Sequence, residues 1–334
     1  MGNNNILDPS DRSRLPQLDF FEILDPNDVN YSQAIELYDS LPKYVFSQKH
    51  KAFDEDNTEI VRDFVNRGRD YQLRINGAIL TKKGRKIIAY PSRREEIVED
   101  ALRKLTVSAN RTYYADGGTW CEFTLHELQK ELANSGHSYD KNEIKEALNI
   151  CHQTRIEVTA NGKKITSGYM LPSLTLVSAA DLKENKDARC VVRFHEMVTT
   201  AIKDLSFRQF NYQLSMSFSY SLSRALLKRL SYNWRQARIG NSYGPVYLST
   251  VFRDSGRDLN NKMSVNRKFM EQALNELITN KVLIKFTDEK IMTGRKISDI
   301  KYTFNAHPDF IRDIKRFNHF ESQARNSLQG TETI

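Results

Sequence analysis

The stretch Asp140-Lys141-Asn142-Glu143-Ile144-Lys145-Glu146-Ala147-Leu148-Asn149-Ile150-Cys151-His152-Gln153 carries its own start signal for a helix. Asp140 offers a side-chain oxygen to the free N–H groups of the first turn, and Glu143, three residues on, reaches back to close a capping box. Ile144, Ala147, Leu148 and Cys151 recur at helical spacing and form one buried stripe. Next comes an alternating run, Arg155 to Ser167, folded at Ala160-Asn161-Gly162-Lys163. There Asn-Gly supplies the positive φ angles of a type I′ hairpin turn.

Working upstream, Glu95 to Val107 spaces Ile97, Ala101, Leu102 and Leu105 for a helix with one buried face. Phe123-Thr124-Leu125 is a short strand entering a second helix, His126 to Ala133, which Asn134-Ser135-Gly136 stops. Helix, strand, helix, helix, hairpin is the order of a winged helix. The same wording returns about 125 residues later, which marks a duplicated module. Ala147-Leu148-Asn149 is echoed by Ala273-Leu274-Asn275, and Ala101-Leu102-Arg103-Lys104-Leu105 by Ala225-Leu226-Leu227-Lys228-Arg229-Leu230.

The second copy runs through a helix from Ser221 to Arg235, the strand Val246-Tyr247-Leu248, a short helix near Thr250 and a third helix from Ser264 to Thr279. Its hairpin, Leu283 to Phe304, turns through the basic stretch Lys290 to Lys296. Between the copies, Asp181 to Arg189 reads as a charged surface loop, Cys190 to Phe194 as a strand and His195 to Asp204 as a helix, with the boundary near Ser215. A further hairpin is expected from Tyr71 to Tyr90, carrying the basic run Lys82-Lys83-Gly84-Arg85-Lys86. The expectation is an α+β protein of two tandem winged-helix domains, residues 61–214 and 215–320. An acidic, partly disordered N-terminal segment (1–60), disordered over its first 16 residues, precedes them and a disordered tail (321–334) follows.

Charge is strongly polarised along the 334 residues. Residues 1–60 hold 5 Lys+Arg against 12 Asp+Glu, residues 61–204 hold 24 against 19, and residues 205–334 hold 21 against 11. A basic C-terminal half is what counterion release from a polyanion requires, and the acidic head would be repelled by that polyanion and left for another partner. No apolar run approaches the roughly 20 residues of a membrane helix and no signal peptide is written, so a cytoplasmic protein is expected. Cys121, Cys151 and Cys190 lie far apart, without a C-x-x-C pair, and read as core thiols. The seven histidines include no His-hydrophobe-His metal pair, and no phosphate-binding loop is present. No catalytic centre, metal or cofactor is therefore expected.

Burying Ile144, Ala147, Leu148 and Cys151 leaves Asn142, Lys145, Glu146, Asn149 and Gln153 outward on an ideal helix. Burying Met270, Ala273, Leu274 and Leu277 likewise exposes Lys268, Glu271, Gln272, Asn275 and Thr279, with Arg267 at the flank. Such faces suit the major groove, where amides pair with adenine and Arg or Lys with guanine. Lys163 and Lys164 on the first hairpin, and Lys290, Arg295 and Lys296 on the second, sit where a wing tip meets the minor groove or phosphates.

Two such modules, with Tyr90-Pro91-Ser92-Arg93-Arg94-Glu95-Glu96 leading into the first and Phe207-Arg208-Gln209-Phe210-Asn211-Tyr212 between them, resemble iteron-type plasmid replication initiators over about residues 60–320. The resemblance implies that the second module reads repeated origin sites, chiefly through Arg267, Lys268, Gln272 and Asn275. It also implies that the first contacts neighbouring DNA and carries a dimer interface, with dimers repressing their own gene and monomers opening the origin. Gln17-Leu18-Asp19-Phe20-Phe21 resembles the pentapeptide with which bacterial replication proteins bind the polymerase sliding clamp, although Phe20 stands where leucine is usual. The partners so implied are double-stranded origin DNA, the sliding clamp, the host initiator and helicase, and a second copy of the chain. Binding to single-stranded DNA of the opened origin stays open, and so does the alternative of a dimeric winged-helix transcriptional regulator.

Overall fold

The structure, a computed structural model, describes residues 30–47, 50–54, 58–108, 111–184 and 188–329. The Asn-rich start of the chain, the pentapeptide Gln17 to Phe21, part of the charged loop (185–187) and residues 330–334 lie outside the described residues.

The chain opens with β1 (Tyr31–Ile35), α1 (Glu36–Ser40), β2 (His50–Ala52) and two hairpins, β3 (Glu59–Asn66) with β4 (Arg69–Asn76) and β5 (Ala78–Lys82) with β6 (Arg85–Ala89). The first module follows: α2 (Arg93–Ser108), β7 (Thr112–Ala115), β8 (Gly118–Phe123), α3 (Leu125–Asn134), α4 (Lys141–Gln153), β9 (Arg155–Ala160) and β10 (Lys163–Tyr169). It is completed by β11 (Ser173–Thr175), α5 (Ala179–Glu184), β12 (Cys190–Arg193) and α6 (Glu196–Lys203). β13 (Phe207–Asn211) and α7 (Tyr212–Ser217) lead across to the second module. That module comprises α8 (Ser221–Asn233), β14 (Ser242–Tyr247), α9 (Leu248–Asp254), α10 (Met263–Thr279), β15 (Leu283–Thr293), β16 (Lys296–Ala306) and α11 (Pro308–Gln329). No helix among the described residues is long and apolar enough to cross a membrane.

Local chemistry accounts for the helix starts. Asp140 accepts hydrogen bonds from the N–H groups of Asn142 and Glu143 at 2.7 and 2.8 Å, and Glu143 accepts from the Asp140 N–H at 2.9 Å. The same box recurs at α3, where Thr124 accepts from the Glu127 N–H and Glu127 from the Thr124 N–H. The turn between β9 and β10 places Asn161 and Gly162 at φ 50° and 72°, the type I′ geometry expected of Asn-Gly.

The second module has the sheet order β14-β16-β15, so its hairpin returns beside the strand that precedes α9, as a wing does. The first module differs. Its corresponding strand β8 pairs with β12 in the order β11-β12-β8-β7, while β9 and β10 join β4 and β3 in a separate four-stranded sheet. The hairpin at Asn161-Gly162 is thus not the strand pair that closes this module's sheet; β11 and β12 take that place. The residue pattern that suggested a wing is correct for a hairpin and silent about its partner, because pairing is decided by long-range neighbours on both faces.

Four further expectations are corrected. Residues 31–47 are part of the fold, with Tyr31, Ala34, Ile35, Tyr38, Leu41 and Val45 buried and β1 paired with β13. The strand expected at Tyr71 does not pair with the one ending at Tyr90. The chain turns at Gly77, where a Cβ would meet Ile88 Cγ2 at 2.7 Å and the Ala89 carbonyl oxygen at 2.9 Å, and β4 passes instead between β3 and β9. Residues 179–184 of the charged loop region form α5. The tail expected from Glu321 is helical to Gln329, because Glu321 accepts from buried Arg208 at 2.9 Å and from Arg235 at 3.0 Å.

One continuous hydrophobic core runs through both modules, with Phe123, Leu148, Phe210, Leu227, Leu274 and Phe304 among its members. Buried charge crosses it. Glu96 of α2 receives Arg224 of α8 at 2.6 Å, and Asp100 receives Lys228 at 2.7 Å. Arg103 bridges Asp100 at 2.9 Å and Asp39 at 2.6 Å, while Lys43, 1% exposed, lies 3.8 Å from Glu99 and donates to the Tyr38 carbonyl. Burial pushes the Asp39 carboxyl up, but Arg103 and Lys228 outweigh it and hold it well below the usual carboxylate range. Burial pulls the Lys43 ammonium down.

Removing one member of such a pair strands the other in low dielectric. Arg224→Met is expected to lower the unfolding free energy by about 3–5 kcal/mol, read from the urea midpoint. Adding Glu96→Gln to it should restore much of the loss; no recovery in the double variant would show that the pair's charge is not what holds the two helices.

Candidate nucleic-acid interface

Helix α10 is fixed at both ends. Asn266, buried near its start, accepts from the Asn260 N–H at 2.8 Å and donates to the Asn260 carbonyl at 2.7 Å, setting the turn after α9. Glu276 accepts from the N–H groups of Ser219 and Tyr220 at 2.7 and 3.2 Å and so locks the end of α10 to the start of α8. With Met270, Ala273, Leu274 and Leu277 buried, Ser264, Lys268, Asn275 and Thr279 stand exposed along one line and Gln272 is half-exposed between them. Phe269 is also exposed, and the Arg257 guanidinium lies over its ring at 4.1 Å.

Arg267 and Glu271 hold each other at 2.7 Å, and Arg267 reaches across to Asp288 of β15 at 3.2 Å. Glu271 first, then Asp288, push the guanidinium pKa up. The sequence placed Glu271 on the outward face of the helix and Arg267 at its flank; the structure joins them. The bridge also ties the wing to the helix, so that wing and exposed stripe share a side. β15 and β16 are long, roughly 35 Å if fully extended, and Lys290, Arg295 and Lys296 lie exposed toward the turn at Gly294.

Helix α4 is placed differently. Exposure ends with its first turn at Lys141, Asn142 and Glu143; Lys145, Glu146, Asn149, His152 and Gln153 are all half-buried. On one flank the β5–β6 hairpin lies against it: Glu146 is bound by Lys82 at 2.8 Å and Arg94 at 3.2 Å, and Ile150 is buried with Ala78 and Ala89. On the other flank, His152 hydrogen-bonds with the Leu171 carbonyl at 2.7 Å, just before β11. Gln153 donates to Asn149 at 3.1 Å. Lys145, Glu146, Asn149 and Gln153 thus stand only partly outward, as Gln272 does on α10, and Glu146 is tied to the hairpin that flanks the helix. Ile150 was the available signal, since an aliphatic residue outside the first buried stripe marks a second covered face.

Lys163 is exposed next to its turn, and Lys164 pairs with Glu157 at 3.0 Å. Both belong to the sheet with β3 and β4 and not to the first module's closing strand pair. Cys121, Cys151 and Cys190 are buried free thiols.

No family model and no curated protein matches the chain. Among solved structures, it is similar to domains 2 and 3 of RctB at 10% identity, covering 84% of this chain and 98% of that one with a TM-score of 0.48. A second structure of RctB domains 2–3 gives 12% identity, 84% and 100% coverage and a TM-score of 0.44. The Pi initiator protein in complex with iteron DNA gives 13% identity, 65% and 91% coverage and a TM-score of 0.44. Likenesses this distant leave the function to the geometry of this chain itself.

Base-edge contacts contribute discrimination and phosphate contacts do not. Gln272→Ala and Asn275→Ala are each expected to cost about 1–3 kcal/mol at one or two positions of the preferred site, while binding to unrelated duplex stays within twofold. Selection from random-sequence duplexes followed by titration measures both; an unchanged preferred site in the double variant would remove α10 as the reading element.

Proposed function

We propose that the chain is a plasmid replication initiator. In this reading it binds directly repeated origin sites, promotes opening of the duplex beside them and recruits host replication proteins, acting through binding energy and without chemistry of its own. The observation that carries it is the open stripe Ser264, Lys268, Gln272, Asn275 and Thr279 on α10, held on the same side as a wing that bears Lys290, Arg295 and Lys296. Amides and cations on a rigid helix suit base edges, and an exposed cationic hairpin suits phosphates. Arg267, Lys268, Gln272 and Asn275 take the main reading role, with Arg267 pre-set by Glu271 and Asp288.

Initiation is favoured over repression alone by the acidic N-terminal stretch with its clamp-like pentapeptide. A segment repelled by DNA leaves Leu18 and Phe21 available for an apolar cleft, with Gln17 at its mouth and Asp19 and Phe20 between. In this proposal monomers open the origin, dimers repress the gene, and the host initiator and helicase join afterwards.

Footprinting on the DNA flanking the chain's own gene, combined with permanganate probing of a neighbouring AT-rich segment, is expected to show protected direct repeats and reactive thymines beside them. Protection of a single inverted repeat without reactive thymines would make the chain a repressor. Leu18→Ala with Phe21→Ala is expected to abolish retention on immobilised sliding clamp while leaving the footprint intact; undiminished retention would exclude the pentapeptide as the contact.

A further inference from the structure

The first module presents a contrast with the second: its third helix is flanked on both sides, yet the hairpin that covers one flank ends in four exposed cations, of which Lys82 is paired with Glu146. We infer that the β5–β6 hairpin, and not α4, is the first module's grip on DNA, a ribbon that binds duplex phosphates without regard to sequence. The inference rests on the reading of the chain as a duplex-binding protein and adds to it a second site with a different task.

Four of the residues from Lys82 to Lys86 are cations, all of them exposed. Lys82 is engaged by Glu146, but among the described residues no carboxylate lies within ion-pair distance of Lys83, Arg85 or Lys86. Among the described residues the Lys86 ammonium meets the Phe53 ring, 5.6 Å away. Lys82 and Arg85 stand directly opposite each other across the ladder, and like charges so placed destabilise a hairpin. Glu146 offsets part of that repulsion at Lys82, and a phosphate held at the tip would offset the rest.

The mounting is rigid. Lys83 and Gly84 adopt φ 50° and 74°, closing a tight two-residue turn that holds the cations together at the end of the ribbon. At the other end, β6 is paired on both sides in the order β2-β6-β5, Ile88 is buried in the core, and Ala78 and Ala89 pack on Ile150 of α4. The Tyr90 hydroxyl donates to the Thr58 carbonyl at 3.0 Å. Glu146 braces the arrangement by holding Lys82 and Arg94 together. Cations positioned in advance lose less freedom on binding.

The ligand class follows from the side chains. From Ala78 to Ala89 there is no Asn, Gln, Asp or Glu, so the ribbon lacks the amides that pair with adenine and the carboxylates that accept from cytosine. Lysine and arginine on a narrow two-stranded tip meet regularly spaced phosphates instead. The carboxylate on α4 that would repel a phosphate, Glu146, is already neutralised by its two partners.

The test uses the full chain with Lys83→Gln, Arg85→Gln and Lys86→Gln combined, titrated on site-bearing and scrambled duplexes between 50 and 200 mM salt. Each lost phosphate contact lowers the slope of log affinity against log salt by about 0.9, so across this fourfold range the unmodified chain should lose roughly 40-fold more affinity than the variant. The loss at low salt should be of similar size on both duplexes. A slope unchanged by the triple substitution overturns the ribbon, and so does a shift of base preference on Asn142→Ala or Asn149→Ala. If the unmodified chain itself shows no salt-dependent duplex binding, the initiator reading fails; binding with an unaltered slope in the variant fails the ribbon alone.

Discussion

Three carboxylates on one helix, Glu96, Glu99 and Asp100, are buried where the two modules meet, and each needs a cation that its own helix cannot fully supply. The second module provides Arg224 and Lys228, and the N-terminal stretch provides Lys43. Arg103 completes the set by joining Asp100 to Asp39. An unpaired buried charge is far more costly than a paired one, so no member can leave without stranding another. The modules are therefore interlocked by charge as well as by their shared apolar core. The direction in which α10 and its wing point relative to the first module follows from that lock.

The two modules share an order of elements but differ in what each exposes. In the second module the hairpin returns directly beside β14, leaving one side of α10 open and joined to the wing through Arg267 and Asp288. In the first, extra strands have been recruited: β3 and β4 take up β9 and β10, and β5 and β6 lie on α4. The helix whose amide-bearing face lies open in one module is flanked on both sides in the other. Its amides Asn142 and Asn149 resemble those of α10 in sequence, but their surroundings differ.

What could be read from the chain was local. The capping box at Asp140 and Glu143, the Asn161-Gly162 turn, the helices at 141–153 and 264–279 and the buried stripe of α10 are written in residues a few positions apart, and the structure has them where they were expected. What escaped was set at a distance. The acidic composition of residues 1–60 concealed the buried stretch from Tyr31 to Val45, because Asp39 and Lys43 find partners on α2 that no local pattern announces. The polar wording after Glu321 concealed the end of α11 for the same reason, since its partner Arg208 lies more than a hundred positions away. One miss was local: Asp116-Gly117 is a strong hairpin signal, and it does join β7 to β8. For the site, the open stripe was legible from helical spacing alone, whereas the covering of α4 was signalled only by Ile150.

The pairing of β1 with β13 also brings the two ends of the described chain together. The Tyr31 hydroxyl donates to Asp313, 282 positions later, at 2.9 Å, and its ring meets Phe317 edge-on at a centroid distance of 5.6 Å. During synthesis these contacts cannot form until α11 has left the ribosome, long after β13 has emerged to pair with β1. The closure of so long a loop carries a large entropic cost, which only the nearly finished polypeptide can offset. A chain that stops within the second module thus keeps the partner strand of β1 but lacks the Asp313 and Phe317 contacts that cover Tyr31.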